Sequence, residues 1–425
     1  MQFVKATASR SKTLRAALAG VAVLGAATLV LSGCSGTSGG SNTPSKTLTF
    51  NLGTILPQTG SLATLGPPAI EASNMAVADI NAAKQGIKIN ITQKDSGDTS
   101  TNIATQSVTA LLASGVTAIL GAESSSTSLT VIDQIAKAGV VEFSPANTSP
   151  TFSTYADDGF YWRDAPSDVL QGKVLGQKVL KDGATNVAII YQNDSYGTGL
   201  DDNVKKAIEA GGGTVTQNIA FDVAATDFTT EINQALATNP DALVVISFDQ
   251  IKTIAQELAT AKFDFKKFYG SDGNFGVIDP SYTNADIAGA QFTNPGVNVA
   301  GAFKTKLDKF VAAAGDKALT AYSYAPESYD AVVLLALAAL QGGKTDGTTL
   351  KENLQSVSEG GTKCTTFTAC AKLIAQGKDI NYDGLSGPIT FDSAGDPQQA
   401  YISIYKYETG NTYSFENAEF GDLSK

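Results

Sequence analysis

The sequence predicts an α/β protein of two Rossmann-like lobes, each with a parallel sheet, joined by a multi-strand hinge. Three observations predict it. Short β-rich runs alternate with helical patterns along most of the chain, and the alternation falls into two consecutive series of similar length. A strongly apolar helical pattern and a late strand pair then follow with no sheet of their own.

The first series begins after residue 47. Strands are predicted over 48–55, 87–93, 118–121 and 140–143, and helices over 69–83, 101–114 and 128–138, where Ile, Val, Leu and Ala recur every three and four residues. Strand followed repeatedly by helix means a parallel sheet covered on both faces. The second series starts after 160–163, with strands over 187–191, 214–221, 242–247 and 267–269 and helices over 199–210, 228–237 and 251–261. The apolar helix over 327–340 and the strand pair at 388–391 and 401–407 are expected to rejoin the first lobe, producing several inter-lobe strands able to act as a hinge. Approximate boundaries are 47–164 with 326–385 for the first lobe, and 165–325 with 386–425 for the second lobe and hinge.

Ahead of both lobes, Lys5, Arg10, Lys12 and Arg15 precede an apolar run of small residues over 16–31, about sixteen residues long. A bilayer span needs roughly 20 apolar residues, so the run fits a signal peptide better than an anchor. It ends in Leu31, Ser32, Gly33 and Cys34, which resembles the bacterial lipoprotein signal. That resemblance implies removal of 1–33, lipidation of Cys34 and attachment to the outer face of the cell membrane. Residues 34–46, rich in Ser, Gly, Thr and Asn, then read as a flexible tether. With Cys34 assigned, Cys364 and Cys370 remain as a local pair, and a disulfide is the natural reading in an oxidising compartment.

Composition excludes several classes. A net charge of -11 with a sequence pI near 4.6 speaks against nucleic acid, which demands clustered Lys and Arg. The chain has no His, which removes the usual general base, and with no second cysteine pair it leaves no zinc set. Neither a Walker loop nor a Gly-x-Ser-x-Gly elbow appears, so no catalysis, no cofactor and no metal are expected. Asp379, Asn381, Asp383 and Gly384 lack EF-hand spacing and read as a turn. Tyr322, Tyr324 and Tyr329 look like a sugar-stacking cluster, yet Tyr329 precedes an apolar helix and reads as core or hinge packing.

In open α/β sheets ligands sit beyond the carboxyl ends of strands, so the loops there should carry function. After 118–121 come Glu123, Ser124, Ser125, Ser126 and Thr127 at a predicted helix start, a source of donors for an anion or simply a serine N-cap. After 140–143 come Ser144, Pro145, Ala146, Asn147, Thr148, Ser149 and Pro150, a loop stiffened by its prolines.

At these two loops the chain resembles the leucine/isoleucine/valine-binding proteins of the type I periplasmic-binding family, which serve ABC importers. The likeness continues through 53–66, through 191–199 with Tyr196 and Gly197, and through Gly270, Ser271, Asp272 and Gly273, from about residue 48 to about 407. It implies that Ser124, with neighbouring N–H groups such as that of Ser125, receives a ligand carboxylate, while the Ala146 carbonyl and Thr148 grip the amino-acid head group. Asp272 falls where the family places an acid facing the α-ammonium, and Tyr196 at the cleft edge. Phe248 and Leu65 stand where the branched-chain binders carry a Tyr, and a Tyr or Trp, so side-chain specificity is where this chain departs. The expected ligand is a small amino acid, branched-chain or similarly apolar, delivered by closing lobes to an ABC permease. A neutral amide, urea or aromatic acid, or a sensory role on the same fold, is the alternative.

Overall fold

The computed structural model describes residues 47–424 apart from residue 300. The expected signal segment, the tether and Cys34 lie outside the described residues.

Strands β1 (Leu48–Leu56), β2 (Ile87–Asp95), β3 (Ala118–Gly121), β4 (Val141–Ser144) and β5 (Tyr161–Arg163) form one parallel sheet in the order β2-β1-β3-β4-β5. Helices α1 (Gly66–Ala83), α2 (Ile103–Ala113), α3 (Ser125–Leu129) and α4 (Ile132–Lys137) connect them. The single helix expected over 128–138 is thus two short ones. The Thr130 hydroxyl donates to the Thr127 carbonyl at 2.7 Å, and Val131 adopts φ -124, so a local side-chain bond replaces the next helical turn.

The chain then crosses to a second sheet. Helix α5 (Asp168–Lys181) leads into β6 (Asn186–Gln192), α6 (Ser195–Ala210), β7 (Thr214–Phe221), α7 (Thr229–Ala237), β8 (Ala242–Ile246), α8 (Ile251–Thr260), β9 (Phe268–Gly270) and β10 (Gln291–Pro295). After β10 it returns to the first lobe. There α9 (Gly301–Ala314) sets Phe303, Leu307 and Val311 against Ala72 and Met75 of α1, although 165–325 was expected in the second lobe. Helix α10 (Ala325–Gly342) is apolar on every side and is buried accordingly; Ala331 through Ala339 sit in the core with Phe50, Leu52 and Leu120 of the first sheet. It rejoins the first lobe as expected.

Helix α11 (Gly347–Leu354), β11 (Thr362–Cys364), α12 (Phe367–Ala375) and β12 (Ile380–Tyr382) complete that lobe. Residues 380–382, read from sequence as part of a turn, form a strand pairing parallel to β11, and Asp383 pairs with Lys363 at 2.5 Å. The structure joins Cys364 to Cys370 between β11 and α12.

The last elements correct the sequence reading. Residues 388–391 form only isolated bridges, Asp383 with Pro388 and Phe391 with Pro397, although Ile389 and Phe391 do pack in the first core. Strand β13 (Gln399–Glu408) belongs to the second sheet, antiparallel to β10, and β14 (Thr412–Asp422) closes its edge in the order β14-β13-β10-β9-β8-β6-β7. The reason is packing: Ala400, Ile402 and Ile404 bury against Leu170 and Val174 of α5, a face the first sheet does not offer.

Candidate functional site

The carboxyl ends of both sheets face one another across the crossovers. At the end of β3, Gly121 adopts φ +108, and a Cβ there would lie 2.3 Å from the Ile55 carbonyl oxygen of β1. Only glycine lets the chain leave β3 this close to its neighbour and deliver Glu123 and the serines to the sheet tip. Ser144 at the end of β4 anchors the second loop. Its hydroxyl donates to the Ala122 carbonyl at 2.6 Å and accepts from the N–H groups of Ala146 and Asn147.

The lobes touch. Asp249 N–H donates to the Ser61 carbonyl at 3.2 Å, Ser126 Oγ donates to Asp194 Oδ2 at 3.0 Å and accepts from Ser195 N–H at 3.0 Å, and Ser149 Oγ meets Ser195 Oγ at 2.9 Å. Asp194 also caps α6 through Gly197 N–H. The molecule is therefore in a closed arrangement, and the space left between the lobes is a cavity of about 10 Å³. Its first-lobe wall is Leu62, Leu65, Glu123, Ser125, Ala146 and Tyr324; its second-lobe wall is Tyr196, Phe248, Asp272 and Gly273. A groove of about 350 Å³ between α5 and α6 is larger, but exposed or half-buried residues such as Lys173 and Lys206 line it. Buried polar groups converge on the inter-lobe cavity instead, the arrangement expected of a small-molecule site.

Asp272 is its most organised group. Tyr324 donates to Oδ2 at 2.6 Å from the first lobe, and Tyr196 and the Gln171 amide both donate to Oδ1 at 2.8 Å from the second. Burial raises the Asp272 carboxyl above the usual range, opposed by those three hydrogen bonds. Tyr196 stacks on Phe248 with ring centres 5.3 Å apart, and Gly273 has room for no side chain because a Cβ would lie 2.8 Å from Phe248.

Six of the eight sequence-derived ligand positions thus line the cavity: Leu65, Ser125, Ala146, Tyr196, Phe248 and Asp272. Ser124 and Thr148 are buried beside it. Ser124 Oγ accepts from Thr127 N–H as an N-cap, and the Thr148 N–H donates to Ser125 Oγ at 3.3 Å, while the Thr148 hydroxyl has no partner among the described residues. Sequence reasoning missed Gln171, Leu62 and the roles of Glu123 and Tyr324. Glu123 was visible beside the serines, and Tyr324 within the tyrosine cluster, but Gln171 carried no signal of its own.

Neighbouring acids are also buried. Burial pushes Glu123 up to about 8, and burial followed by the nearby Asp272 charge holds Asp168 well above the usual carboxylate range. Among the described residues no cluster of His, Cys, Asp or Glu is placed to hold a metal ion, and no helix is long and apolar enough to cross a membrane.

Two lobes meeting around a small cavity lined by polar and aromatic side chains have the form of a solute-binding protein. The family profile described as "Periplasmic binding protein" matches residues 49–411, and the chain belongs to that family. An uncharacterised Methanocaldococcus jannaschii protein is 26% identical over 227 residues, 50% of this chain, and this chain spans 54% of its length. A Leu/Ile/Val-binding protein homologue of Brucella melitensis is 24% identical over 377 residues, covering 86% of this chain and 94% of its own. Among solved structures, the branched-chain amino acid transporter substrate-binding protein LivJ of Streptococcus pneumoniae, in complex with isoleucine, has a TM-score of 0.70 at 22% identity, covering 88% of this chain and 99% of its own. A solute-binding protein of R. palustris in complex with 4-hydroxybenzoate reaches 0.70 at 15% identity, covering 88% and 98%.

Proposed function

We propose that this protein is the extracytoplasmic solute-binding component of an ABC importer, closing its lobes on a small amino acid and presenting the closed form to a membrane permease. The observation that carries the reading is Asp272. A carboxylate held between the lobes by Tyr324 on one side and Tyr196 and Gln171 on the other, at a cavity, supports a ligand that brings an ammonium. Asp272 Oδ2 accepts only one of those bonds and retains acceptor capacity for a ligand. Ser125 and the Ala146–Thr148 backbone supply polar groups for the rest of the head group. Binding favours closure because the ligand touches both walls only in the closed state.

A second reading has its own observation: the stacked Tyr196–Phe248 pair would also receive the ring of an aromatic acid, as borne by solutes of relatives with this fold. Thermal-shift screening separates the two. A stabilising α-amino acid, with no response to benzoates, urea or short amides, supports the first reading, and the reverse pattern overturns it.

The same proposal places the protein outside the cell membrane on a lipidated Cys34, with the tether leading to the first lobe and the Cys364–Cys370 bridge oxidised. Mass spectrometry of protein made in a bacterial host should find Cys34 acylated at the mature N-terminus. Cleavage elsewhere removes the anchor from the proposal.

A further inference from the structure

Glu123 borders the inter-lobe cavity, its side chain is wholly buried, and neither carboxyl oxygen has a hydrogen-bond partner among the described residues. The backbone around it is fixed. Asn147 Nδ2 donates to the Glu123 carbonyl at 2.8 Å, and Tyr161 OH in turn holds Asn147 Oδ1 at 2.9 Å. A glutamate kept only to fill space would be replaced at no loss by leucine or glutamine, since a buried carboxyl without a partner costs free energy and brings no contact. Asp272, at the same cavity, by contrast takes three donors from the protein. No Lys or Arg lines the cavity to supply Glu123 with a donor. The Tyr196 and Tyr324 hydroxyls at the cavity already donate to Asp272, so Glu123 is open to a donor on what the cavity binds.

We propose that Glu123 reads the solute: its carboxyl meets a hydrogen-bond donor on the part of the bound molecule away from its ammonium, so the site selects a solute bearing a hydroxyl, amide or ammonium group over its aliphatic isostere. This rests on the inter-lobe cavity being the solute site, and it replaces the expectation of a purely apolar side chain. Leu62 and Leu65 line the same cavity and give it an apolar portion. With burial pushing it up to about 8, Glu123 is the neutral acid at pH 7, able both to accept from and to donate to a hydroxyl or amide without stranding a charge. Beside an ammonium the carboxyl pKa would fall, and its proton would be released to solvent on binding.

The test uses matched pairs that differ in a polar group: the isosteric valine and threonine, the isosteric leucine and asparagine, and benzoate with 4-hydroxybenzoate, titrated calorimetrically against the full mature protein and against Glu123→Gln and Glu123→Leu. In the unmodified protein the donor-bearing member of the pair that binds is expected to be at least tenfold tighter. Glu123→Gln, which keeps the shape and a hydrogen-bonding head, retains the preference, and Glu123→Leu abolishes or reverses it, with circular dichroism as the folding control. If the apolar member binds the unmodified protein as tightly, or if Glu123→Leu leaves the ratio unchanged, the proposal is overturned. Binding of the benzoate pair alone sinks the amino-acid reading while still deciding on Glu123 through that pair's ratio. Binding of none of the six by folded protein overturns both.

Discussion

Arg163 and Asp396 meet as a buried two-pronged pair, Nε to Oδ1 at 2.6 Å and Nη2 to Oδ2 at 2.8 Å, 233 positions apart in sequence. Arg163 ends β5, and Asp396 lies on the last crossover before β13. The remaining guanidinium nitrogen, Nη1, donates to the carbonyls of Asn147 and Ser149, at 3.2 and 2.8 Å. One fully buried cation thus holds both the final passage between the lobes and the loop that carries Thr148.

Removing the counter-charge should be expensive. Asp396→Asn leaves the guanidinium desolvated and unpaired, and breaking such a pair from one side costs about 3–5 kcal/mol. Urea unfolding should show a loss of that order; a change under about 1 kcal/mol would mean that the pair contributes little beyond its neighbours' hydrogen bonds.

At the cavity the expected loss is in binding rather than folding. Asp272→Asn keeps the size but only one acceptor oxygen, so either Tyr324 on Oδ2 or Tyr196 and Gln171 on Oδ1 must turn, and it deletes the negative charge proposed to face the ammonium. The same ~3–5 kcal/mol corresponds to at least a hundredfold weaker affinity. Calorimetry on a folded variant that binds as tightly as the parent would remove the ammonium from the site.

Closure can be weakened without touching the ligand. Ser126→Ala deletes the hydroxyl that donates to Asp194 and accepts from Ser195, two contacts between the lobes worth about 0.5–1.5 kcal/mol each. Affinity should fall roughly tenfold. Small-angle scattering of the ligand-free variant should report a larger radius of gyration than the parent, and identical profiles with identical affinity would rule the contact out as a latch.

Near the hinge, burial first and Asp330 second push Glu327 up to about 8, against an ordinary value of 4.5. The native state then keeps a proton that the unfolded chain gives up, so stability is highest below pH 4.5 and declines as pH rises towards 8, by up to about 1.4 kcal/mol per unit from this group. Glu327→Gln should flatten the melting temperature between pH 5 and 8 relative to the parent. Parallel curves for the two proteins would mean that Glu327 ionises normally.

How far the sequence carries depends on what kind of contact makes the feature. Short apolar, β-rich runs located β1, β6 and β8, and a continuous apolar stretch located the buried helix α10, because one side chain after another in those segments is apolar for a local reason. Strand β13 was recognised as a strand, with 386–425 assigned to the second lobe and hinge, but its pairing was not legible, since its partners β10 and α5 are distant in sequence and neither had been read as an element. The two loops at the cavity were legible through the ordered likeness to a family. Tyr324 was not placed there, because its position depends on a left-handed backbone at φ 60 immediately before α10. Glu123 looked like an ordinary polar loop residue; its lack of a partner is a property of three-dimensional surroundings that no pattern of neighbours displays.

The return of α10 to the first lobe and of β13 to the second sets the order in which the chain can mature. A nascent chain stopped after β5 holds a five-stranded sheet whose Phe50, Leu52 and Leu120 still await Leu334 and Leu337, more than 160 positions ahead. By the time α10 arrives, the second sheet is still missing β13 and β14. Neither half can therefore be produced by cutting the gene at one point, and both cores complete only as the last quarter of the chain emerges, leaving apolar surface that an emerging polypeptide must keep from aggregating.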